Sequence, residues 1–213
     1  MSLVLETFQA GPLQCNCSII GCKETGEAAV IDPGGDVDEI IEIAEKHGLK
    51  VKYLLHTHAH FDHIIGSREM KERTGAKICL HKGDQWLYDN LLKQCSMFGF
   101  TATEPLPVDH YLSDEEDVKF GNLKASVIHT PGHTPGSLCY SVTDKDSVLF
   151  AGDTLFKHGV GRTDLWGGSF EEIVDSISNR LYKLDDSTRV IAGHGPDTTI
   201  WSEKRQNPFV SAR

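Results

Sequence analysis

The sequence lacks a long apolar run, an excess of basic charge and any linker, and each absence excludes a class of protein. No apolar stretch in the 213 residues approaches the roughly 20 needed to span a bilayer, so we expect no membrane partner. Acidic residues outnumber basic ones, 31 to 21, and the net charge of −10 argues against nucleic acid as a partner. Without a repeat or low-complexity boundary, residues 1–213 are expected to form a single domain.

The chain start and the cysteines favour the cytoplasm. Residues 1–6 lack the basic stretch and long apolar core of a signal peptide. Six cysteines in a chain this long do not suggest a disulfide framework, so we expect reduced thiols. Alternation in a predicted strand places Cys15 and Cys17 on one face as core residues rather than as a metal site. We expect the same packing role for Cys79, Cys95 and Cys139.

Short apolar runs separated by Gly, Pro, Asn and Asp predict strands and helices in both halves of the chain. Predicted strands cover residues 3–8, 15–20, 28–31, 51–55, 77–80, 118–120, 123–129, 137–142, 147–150 and 189–192. Predicted helices cover 37–47, 64–74, 85–92, 170–181 and 200–207. Two sheets packed together with helices outside would explain this order. Segment 82–107 either covers a pocket or is simply an irregular connection packed against the core, and the sequence leaves both alternatives open.

Three short pieces of the chain concentrate side chains that bind transition metals. Each piece lies among Gly, Pro and Thr after an apolar run, as expected for loops that leave buried strands. Imidazole and carboxylate are the ligand types that suit zinc and iron. The candidate metal ligands are His58, His60, Asp62 and His63 in the first piece, His133 in the second, and Asp153 and His194 in the third.

The spacing in the first piece suggests two adjacent ions. In an extended loop, residues two apart face the same way, so His58 and His60 can approach one ion together. Asp62 and His63 begin the next element and can serve a second ion. The later histidines could complete one coordination sphere each, with Asp153 as a bridge, about 3.5–4 Å between ions and a water held between them. Such a water is largely hydroxide at neutral pH, and we expect it to act as the nucleophile.

These inferences give two divalent ions, with zinc preferred and iron or manganese also accepted. Asp62 and Asp153 are the expected catalytic residues. His56 and His129 lie at strand ends and are expected either to support the ligands or to be buried and hydrogen-bonded. His158, in the loop after Asp153, is a candidate substrate contact. His47, His81 and His110 have no motif around them and are expected on the surface.

The motif from His58 to His63, with His133, Asp153 and His194 at these intervals, resembles the metallo-β-lactamase superfamily over nearly the whole chain. The resemblance implies an α+β fold, an αββα sandwich of two mixed β-sheets packed face to face, with the metals at one sheet edge. It also implies a ligand assignment: His58, His60 and His133 on one ion, Asp62, His63 and His194 on the other, and Asp153 between them.

Residues 152–156 and 161–164 are similar to glyoxalase II-like hydroxyacylglutathione hydrolases, which cleave the thioester S-lactoylglutathione. Where that family has a Lys-x-Tyr segment that contacts glutathione, this chain has Arg162-Thr163-Asp164. We expect Arg162 to pair with a substrate carboxylate and Asp164 to repel one. Lys204 is a further candidate substrate contact. Full-length members carry a helical C-terminal domain, most of which this chain lacks, so we expect glutathione recognition to differ.

Several alternatives share this outline. Persulfide dioxygenases resemble the same pattern but hold one iron, which here would be bound by His58, His133 and Asp153; residues 193–200 favour the hydrolase. Hydrolysis of another ester or thioester also remains open. The pieces lack the cysteine ligand of some β-lactamases, and His60 replaces the Glu of flavodiiron proteins. A metal-binding scaffold without catalysis is the non-enzymatic alternative.

Overall fold

Two six-stranded sheets form the centre of the molecule, and the computed structural model describes them over residues 3–210. The first sheet contains, in spatial order, β1 (Leu3–Ala10), β2 (Cys15–Cys22), β3 (Glu27–Ile31), β4 (Lys50–Leu55), β5 (Lys77–His81) and β6 (His110–Leu112). Pairing is antiparallel from β1 to β3 and parallel from β3 to β6. The first sheet is therefore mixed, as the resemblance implied.

The second sheet contains β7 (Asp117–Phe120), β8 (Leu123–His129), β9 (Leu138–Thr143) and β10 (Ser147–Gly152), followed by β13 (Arg189–Ala192) and β14 (Thr198–Thr199). Its spatial order is β14-β13-β10-β9-β8-β7, and the one parallel pair among these described strands is β10 with β13. Between them in sequence, β11 (Leu155–Phe156) and β12 (Gly159–Val160) form a small hairpin.

Helices cover the outer face of each sheet. They are α1 (Val37–Lys46), α2 (Phe61–Ile64), α3 (Ser67–Thr74), α4 (Gln85–Asp89), α5 (Leu91–Met97), α6 (Phe170–Asn179) and α7 (Ile200–Gln206). One apolar cluster joins the first sheet to the helices from α1 to α5, and another joins the second sheet to α6 and α7. No helix within residues 3–210 has both the length and the apolarity to cross a bilayer.

A third cluster lies between the sheets and completes the αββα sandwich. Successive residues of a strand point to opposite faces, so Ile19 packs with the helices while Ile20 packs between the sheets. Tyr140 and Phe120 fill the same central layer and are fully buried. The expected fold class is confirmed.

The helix predicted over 64–74 is confirmed as α3 from Ser67 onward, but its start is wrong, because the chain breaks at Gly66 and Ile64 ends the separate helix α2. The Gly66 amide donates to the Pro33 carbonyl at 2.9 Å. A Cβ at Gly66 would lie 2.6 Å from that oxygen, so the close approach requires glycine. Asp62 and His63 consequently sit on the short helix α2, directly after the loop that carries His58 and His60.

The helix predicted over 85–92 is also two helices, α4 and α5, separated at Asn90. Four strands escaped prediction: β6, β11, β12 and β14. Each has only two or three residues, too few for an alternating pattern to be visible.

Candidate metal centre

The three sequence pieces meet at one edge of the sandwich. The first follows the end of β4, His133 lies in the loop between β8 and β9, and Asp153 and His194 follow the ends of β10 and β13. Because β10 and β13 are parallel, the residues after them emerge side by side. All seven candidate ligands, His58, His60, Asp62, His63, His133, Asp153 and His194, are brought together there.

One group consists of three histidine nitrogens. His133 Nε2 lies 2.9 Å from His60 Nδ1 and 3.2 Å from His58 Nε2. All three ligand atoms lie within 4.8 Å of one another, and all three side chains are buried. Asp153 Oδ2 lies 3.6 Å from His133 Nε2, at the side of this group.

The second group combines Asp62, His63 and His194. Asp62 Oδ2 is 3.1 Å from His194 Nε2 and 3.7 Å from His63 Nε2. Asp153 Oδ1 is 3.5 Å from His63 Nε2 and 3.9 Å from His194 Nε2. The two oxygens of Asp153 therefore face different groups, as a bridging carboxylate requires.

Asp32 orients two of the imidazoles from behind. Its Oδ2 accepts from His63 Nδ1 at 2.9 Å and from the Thr57 hydroxyl at 2.6 Å. Because that hydroxyl proton is already donated, Thr57 Oγ1 accepts from His58 Nδ1 at 3.0 Å. With protons on both Nδ1 atoms, each Nε2 presents a lone pair to the cluster.

The role of Asp32 was not predicted, because the Asp-Pro-Gly-Gly segment indicates only a break in the chain. The carboxylate is 1% exposed and its backbone has φ of +50°. It also accepts from the Thr57 amide at 2.7 Å. An acidic residue at the end of an apolar strand was the available signal.

A second buried carboxylate that the sequence did not reveal, Asp84, connects two of the ligand loops. Its Oδ2 accepts from the Ala59 amide at 2.9 Å and from the Thr134 hydroxyl at 2.8 Å. Its Oδ1 accepts from the Gly136 amide at 2.6 Å. Burial raises the pKa of Asp84, although these three hydrogen bonds oppose the rise. The position of His60 relative to His133 therefore depends on Asp84.

The remaining polar atoms fit a bound cation. His133 Nδ1 donates to the Arg162 carbonyl at 2.7 Å, so its Nε2 also carries a lone pair. Four buried side-chain atoms within residues 3–210 have no hydrogen-bond partner, namely His56 Nδ1, His60 Nε2, His63 Nε2 and Asp153 Oδ1. Two of them, on His63 and Asp153, face each other in the second group. A buried acceptor without a donor is costly, and a cation would satisfy both atoms.

The pKa shifts of His58, His60 and Asp62 favour the forms that bind metals. Burial and the neighbouring histidines hold the pKa of His58 well below its usual range, and burial with His133 lowers the pKa of His60 to about 3. Burial alone would raise the pKa of Asp62, but His63 and His194 outweigh it and lower that pKa. Neutral imidazole and ionised carboxylate are the forms that bind metals.

The two histidines of the second group differ from His58 and His60. Burial alone would lower the pKa of His194, but its hydrogen bond with Asp62 and the charge of Asp153 raise that pKa. His63 is shifted in the same direction. Burial alone would lower its pKa, but Cys15, Asp62 and Asp153 outweigh burial and raise it well above the usual value. The second group thus attracts positive charge. Cys15 Sγ lies 3.3 Å from His63 Nδ1, and burial raises the pKa of this thiol to about 12.

The cysteines are otherwise packing residues, as predicted. All six, which lie within the described residues, are unpaired and buried. Cys17 belongs to the cluster beneath the helices. The contact of Cys15 with His63 was not expected, and Cys15, Asp32 and His63 lie close enough together to form a metal-binding group of their own.

The two histidines at strand ends form hydrogen bonds near the cluster. His56 is buried, lies 3.0 Å from Ser67 Oγ through Nε2, and has a pKa lowered by burial to about 4. His129 Nε2 donates to the Pro135 carbonyl at 3.0 Å, next to the loop of His133. Of the histidines expected on the surface, His47 pairs with Glu6, His110 pairs with Glu116, and His81 stacks on His129 with ring centroids 4.2 Å apart.

The predicted substrate contacts are placed less uniformly. Arg162 is next to the cluster through its carbonyl, and its guanidinium donates to both carboxylate oxygens of Asp164 at 2.8 Å. This pairing lowers the pKa of Asp164 to about 2. His158 is exposed in the turn between β11 and β12, and its amide donates to Glu203 Oε2 at 2.9 Å.

Lys204 is not brought to the cluster. Its amine lies 2.5 Å from Asp186 Oδ1. It lines a groove beside α6, together with Asp175 and Phe209, and that groove contains none of the seven candidate ligands. Lys204 follows His194 in sequence, but α7 carries it to the outer face, where it pairs with Asp186.

The family model of the metallo-β-lactamase superfamily matches residues 10–194. The chain belongs to this superfamily. It is 36% identical over 211 residues to the hydroxyacylglutathione hydrolase GloC of Haemophilus influenzae, covering 98% of this chain and 99% of the relative.

Two solved structures match this chain along almost its full length. The BLEG-1 B3 metallo-β-lactamase superposes with a TM-score of 0.90 at 37% identity, covering 98% of this chain and 100% of the other. TTHA1623 in a di-iron-bound form superposes with a TM-score of 0.82 at 33% identity, covering 99% and 100%. The chain is therefore a metallo-hydrolase whose His/Asp cluster is able to bind metals.

Proposed function

We propose that the chain is a dinuclear metal-dependent hydrolase of glyoxalase II type, which cleaves a thioester such as S-lactoylglutathione. The observation that carries the proposal is the convergence of ligand atoms in two groups around Asp153. Hydrogen bonds behind His58, His63 and His133 leave the Nε2 lone pairs pointing inward. The likeness to the Haemophilus influenzae protein supports the thioester substrate.

We assign the two groups as two metal sites that share Asp153. The first would be held by His58, His60 and His133, and the second by Asp62, His63 and His194. Zinc suits this set of imidazoles and carboxylates, and iron and manganese suit it as well. Divalent ions bound there lower the pKa of water from about 15.7 to about 7 and polarise a carbonyl oxygen.

The residues of the chain then contribute orientation and charge. Asp153 is a carboxylate between the two groups and Asp62 is a carboxylate of the second group, so each can accept a proton or a hydrogen bond from water held beside it. A thiolate is a good leaving group, so the site needs no strong general acid on the thiol side. The first step is attack of water on the thioester carbonyl carbon, with a proton of the water passing to a carboxylate of the site. The C–S bond then breaks, the thiolate takes up that proton, and the products are a thiol and a carboxylic acid that ionises to a carboxylate.

Arg162 is the proposed contact for an anionic part of the substrate. Its side chain is about half exposed. Its backbone carbonyl accepts from His133, so the side chain begins at the edge of the cluster. Asp164 already accepts from two N–H groups of that guanidinium. A substrate carboxylate would have to displace Asp164, which weakens binding relative to a free arginine. His158 remains a proposed substrate contact without a supporting distance.

The test is cleavage of S-lactoylglutathione by the metal-replete protein, followed as loss of thioester absorbance. We expect turnover that stops when a chelator removes the metal and returns when zinc is restored. No cleavage of this or any simple thioester would overturn the thioesterase proposal. Oxygen uptake with glutathione persulfide would then assign the chain to the dioxygenases.

The B3 metallo-β-lactamase neighbour favours a second candidate function, hydrolysis of the β-lactam amide. Both reactions attack a carbonyl carbon and expel a leaving group. A chromogenic cephalosporin, assayed beside the thioester at equal concentration, separates the two. We expect kcat/KM to be larger for the thioester, because an amide nitrogen is a poorer leaving group than a thiolate and depends more on protonation.

A further inference from the structure

An apolar groove opens beside the candidate metal centre, and none of the residues that line it has a role in the hydrolysis proposed above. It is lined by Gly83, Trp86, Leu87, Pro135, Trp166 and Gly167 and encloses about 310 Å³. None of these side chains carries a charge. Trp86 is 53% exposed, a high value for the largest apolar side chain, whereas Leu87 beneath it is 3% exposed. Exposed tryptophan beside a candidate active site indicates a binding surface.

The groove is continuous with the first metal group. The Trp166 ring centroid lies 6.2 Å from that of His60. Pro135 follows His133 by two residues in the same loop, and Gly83 precedes Asp84, which connects the loops. A ligand whose carbonyl reaches the cluster would therefore have only a few atoms to cross before meeting the tryptophans.

The walls of the groove are built by close backbone packing. Gly167 has φ of +77°, and a Cβ there would lie 2.6 Å from Pro135 Cγ. A Cβ at Gly83 would lie 3.0 Å from the Pro135 carbonyl oxygen. From below, Gln94 Nε2 donates to the Leu87 carbonyl at 2.8 Å and to the Ala59 carbonyl at 3.0 Å. Helix α4 is thus held against the loop of the first piece, and the groove is a preformed feature.

We propose that this groove binds a flat, apolar acyl group of the substrate. The proposal rests on the thioester hydrolase assignment and specifies the acyl part of the substrate. That part would be an aryl or similarly apolar group in place of a small hydroxyacyl group such as lactoyl. The thiol part of a glutathione thioester is charged and finds no partner among the groove residues. An aromatic acyl group instead matches two tryptophans in size and polarity.

The test compares acetyl and phenylacetyl thioesters of one small neutral thiol, N-acetylcysteamine, in the metal-replete protein. We expect kcat/KM to be about tenfold or more higher for phenylacetyl, as filling an apolar pocket gives roughly 10–200-fold. Trp86→Ala and Trp166→Ala should remove most of this preference through a loss of kcat/KM for the phenylacetyl thioester. Trp201→Ala is the matched control, because Trp201 is 47% exposed but stacks with Arg205 on α7.

Binding without hydrolysis separates the groove from the reaction. The phenylethyl thioether of the same thiol has no carbonyl to cleave, and its ethyl counterpart lacks the ring. We expect only the phenylethyl thioether to change the tryptophan fluorescence of a Trp201→Phe protein. That result supports the groove even if no thioester is cleaved. Equal kcat/KM for acetyl and phenylacetyl thioesters, or no fluorescence change, overturns the acyl-site proposal while leaving the hydrolase intact.

Discussion

The metal centre and its rim, defined as Arg162, Asp164, Trp86 and Trp166, are built on opposite principles. In the centre, buried side chains are oriented by partners behind them, and lone pairs point inward. At the rim, side chains are exposed or half-buried, and the two charges bind each other. From this difference we infer that the chemistry would depend on the buried network, whereas the choice of substrate would depend on the exposed side chains of the rim.

Removing a carboxylate ligand, either the shared Asp153 or Asp62 of the second group, should break the centre most severely. We expect Asp153→Ala or Asp62→Ala to lower kcat/KM by at least about 1,000-fold, because several kcal/mol of charge stabilisation depend on the metals. The far-UV circular dichroism should stay native, since the sheets do not depend on these carboxylates. Asp186→Ala is the control, an aspartate paired with Lys204 on the outer face. Near-normal rates in either ligand variant would remove that residue from the site.

Changing a residue behind the centre should have the next largest effect. Asp32→Asn keeps the shape but puts an amide donor where Thr57 and His63 also donate. We expect metal affinity to fall about 10–100-fold, the usual range for a partner of a metal-bound histidine. Chelator competition measures the affinity directly. Unchanged affinity would show that Asp32 supports the fold alone.

The connection between the ligand loops can be tested as stability. Asp84→Ala leaves the buried Ala59 and Gly136 amides without their acceptor. We expect a loss of about 2–3 kcal/mol in the free energy of unfolding, since each buried unsatisfied group costs about 1–3 kcal/mol. Urea unfolding of the metal-free protein gives the value. A change below about 0.5 kcal/mol, the usual effect of a surface substitution, would contradict the role of Asp84.

At the rim, two substitutions in one ion pair should act in opposite directions. Arg162→Ala should raise KM for an anionic thioester about fivefold with little change in kcat, because the charge binds but does not react. Asp164→Ala should lower the same KM, because it frees the guanidinium from the contacts at 2.8 Å. A neutral thioester serves as the control and should respond to neither. Parallel shifts in both variants would show a structural effect instead.

The smallest effect belongs to a residue outside both regions. Lys204→Ala removes a pair with Asp186 on the outer face, so we expect kcat and KM within about twofold of the wild type and a stability change below about 1 kcal/mol. A large rise in KM would instead identify Lys204 as a substrate contact. It would also imply that α7 moves towards the cluster when substrate binds.

The residues of the candidate metal centre could be predicted from the sequence better than the residues around it. His58, His60, Asp62 and His63 lie within one short segment, so their types and spacing alone indicate metal chemistry. The bridging geometry of Asp153 agrees with that expectation. The strands and helices with clear periodicity were also found, whereas the two-residue strands such as β14 carry no periodic pattern.

Other features could not be predicted because they depend on tertiary contacts. Asp32 directly follows β3 and Asp84 ends a single 3-10 turn of helix, and only the folded chain shows that each reaches a loop 25 residues away. Segment 82–107 combines both of its possible roles. Tyr88 and Leu91 belong to the core, while Trp86 lines the groove. No pattern in the sequence separates a buried aromatic residue from an exposed one in such an irregular segment.

The central claim is that two ions share Asp153, and metal counting tests it most directly. The protein would be reconstituted with zinc, freed of excess metal and analysed by mass spectrometry for metal per chain. We predict two equivalents in the wild type and about one in His194→Ala, which loses a ligand of the second group only. One equivalent in the wild type, unchanged in His194→Ala, would contradict the dinuclear centre and favour a mononuclear site.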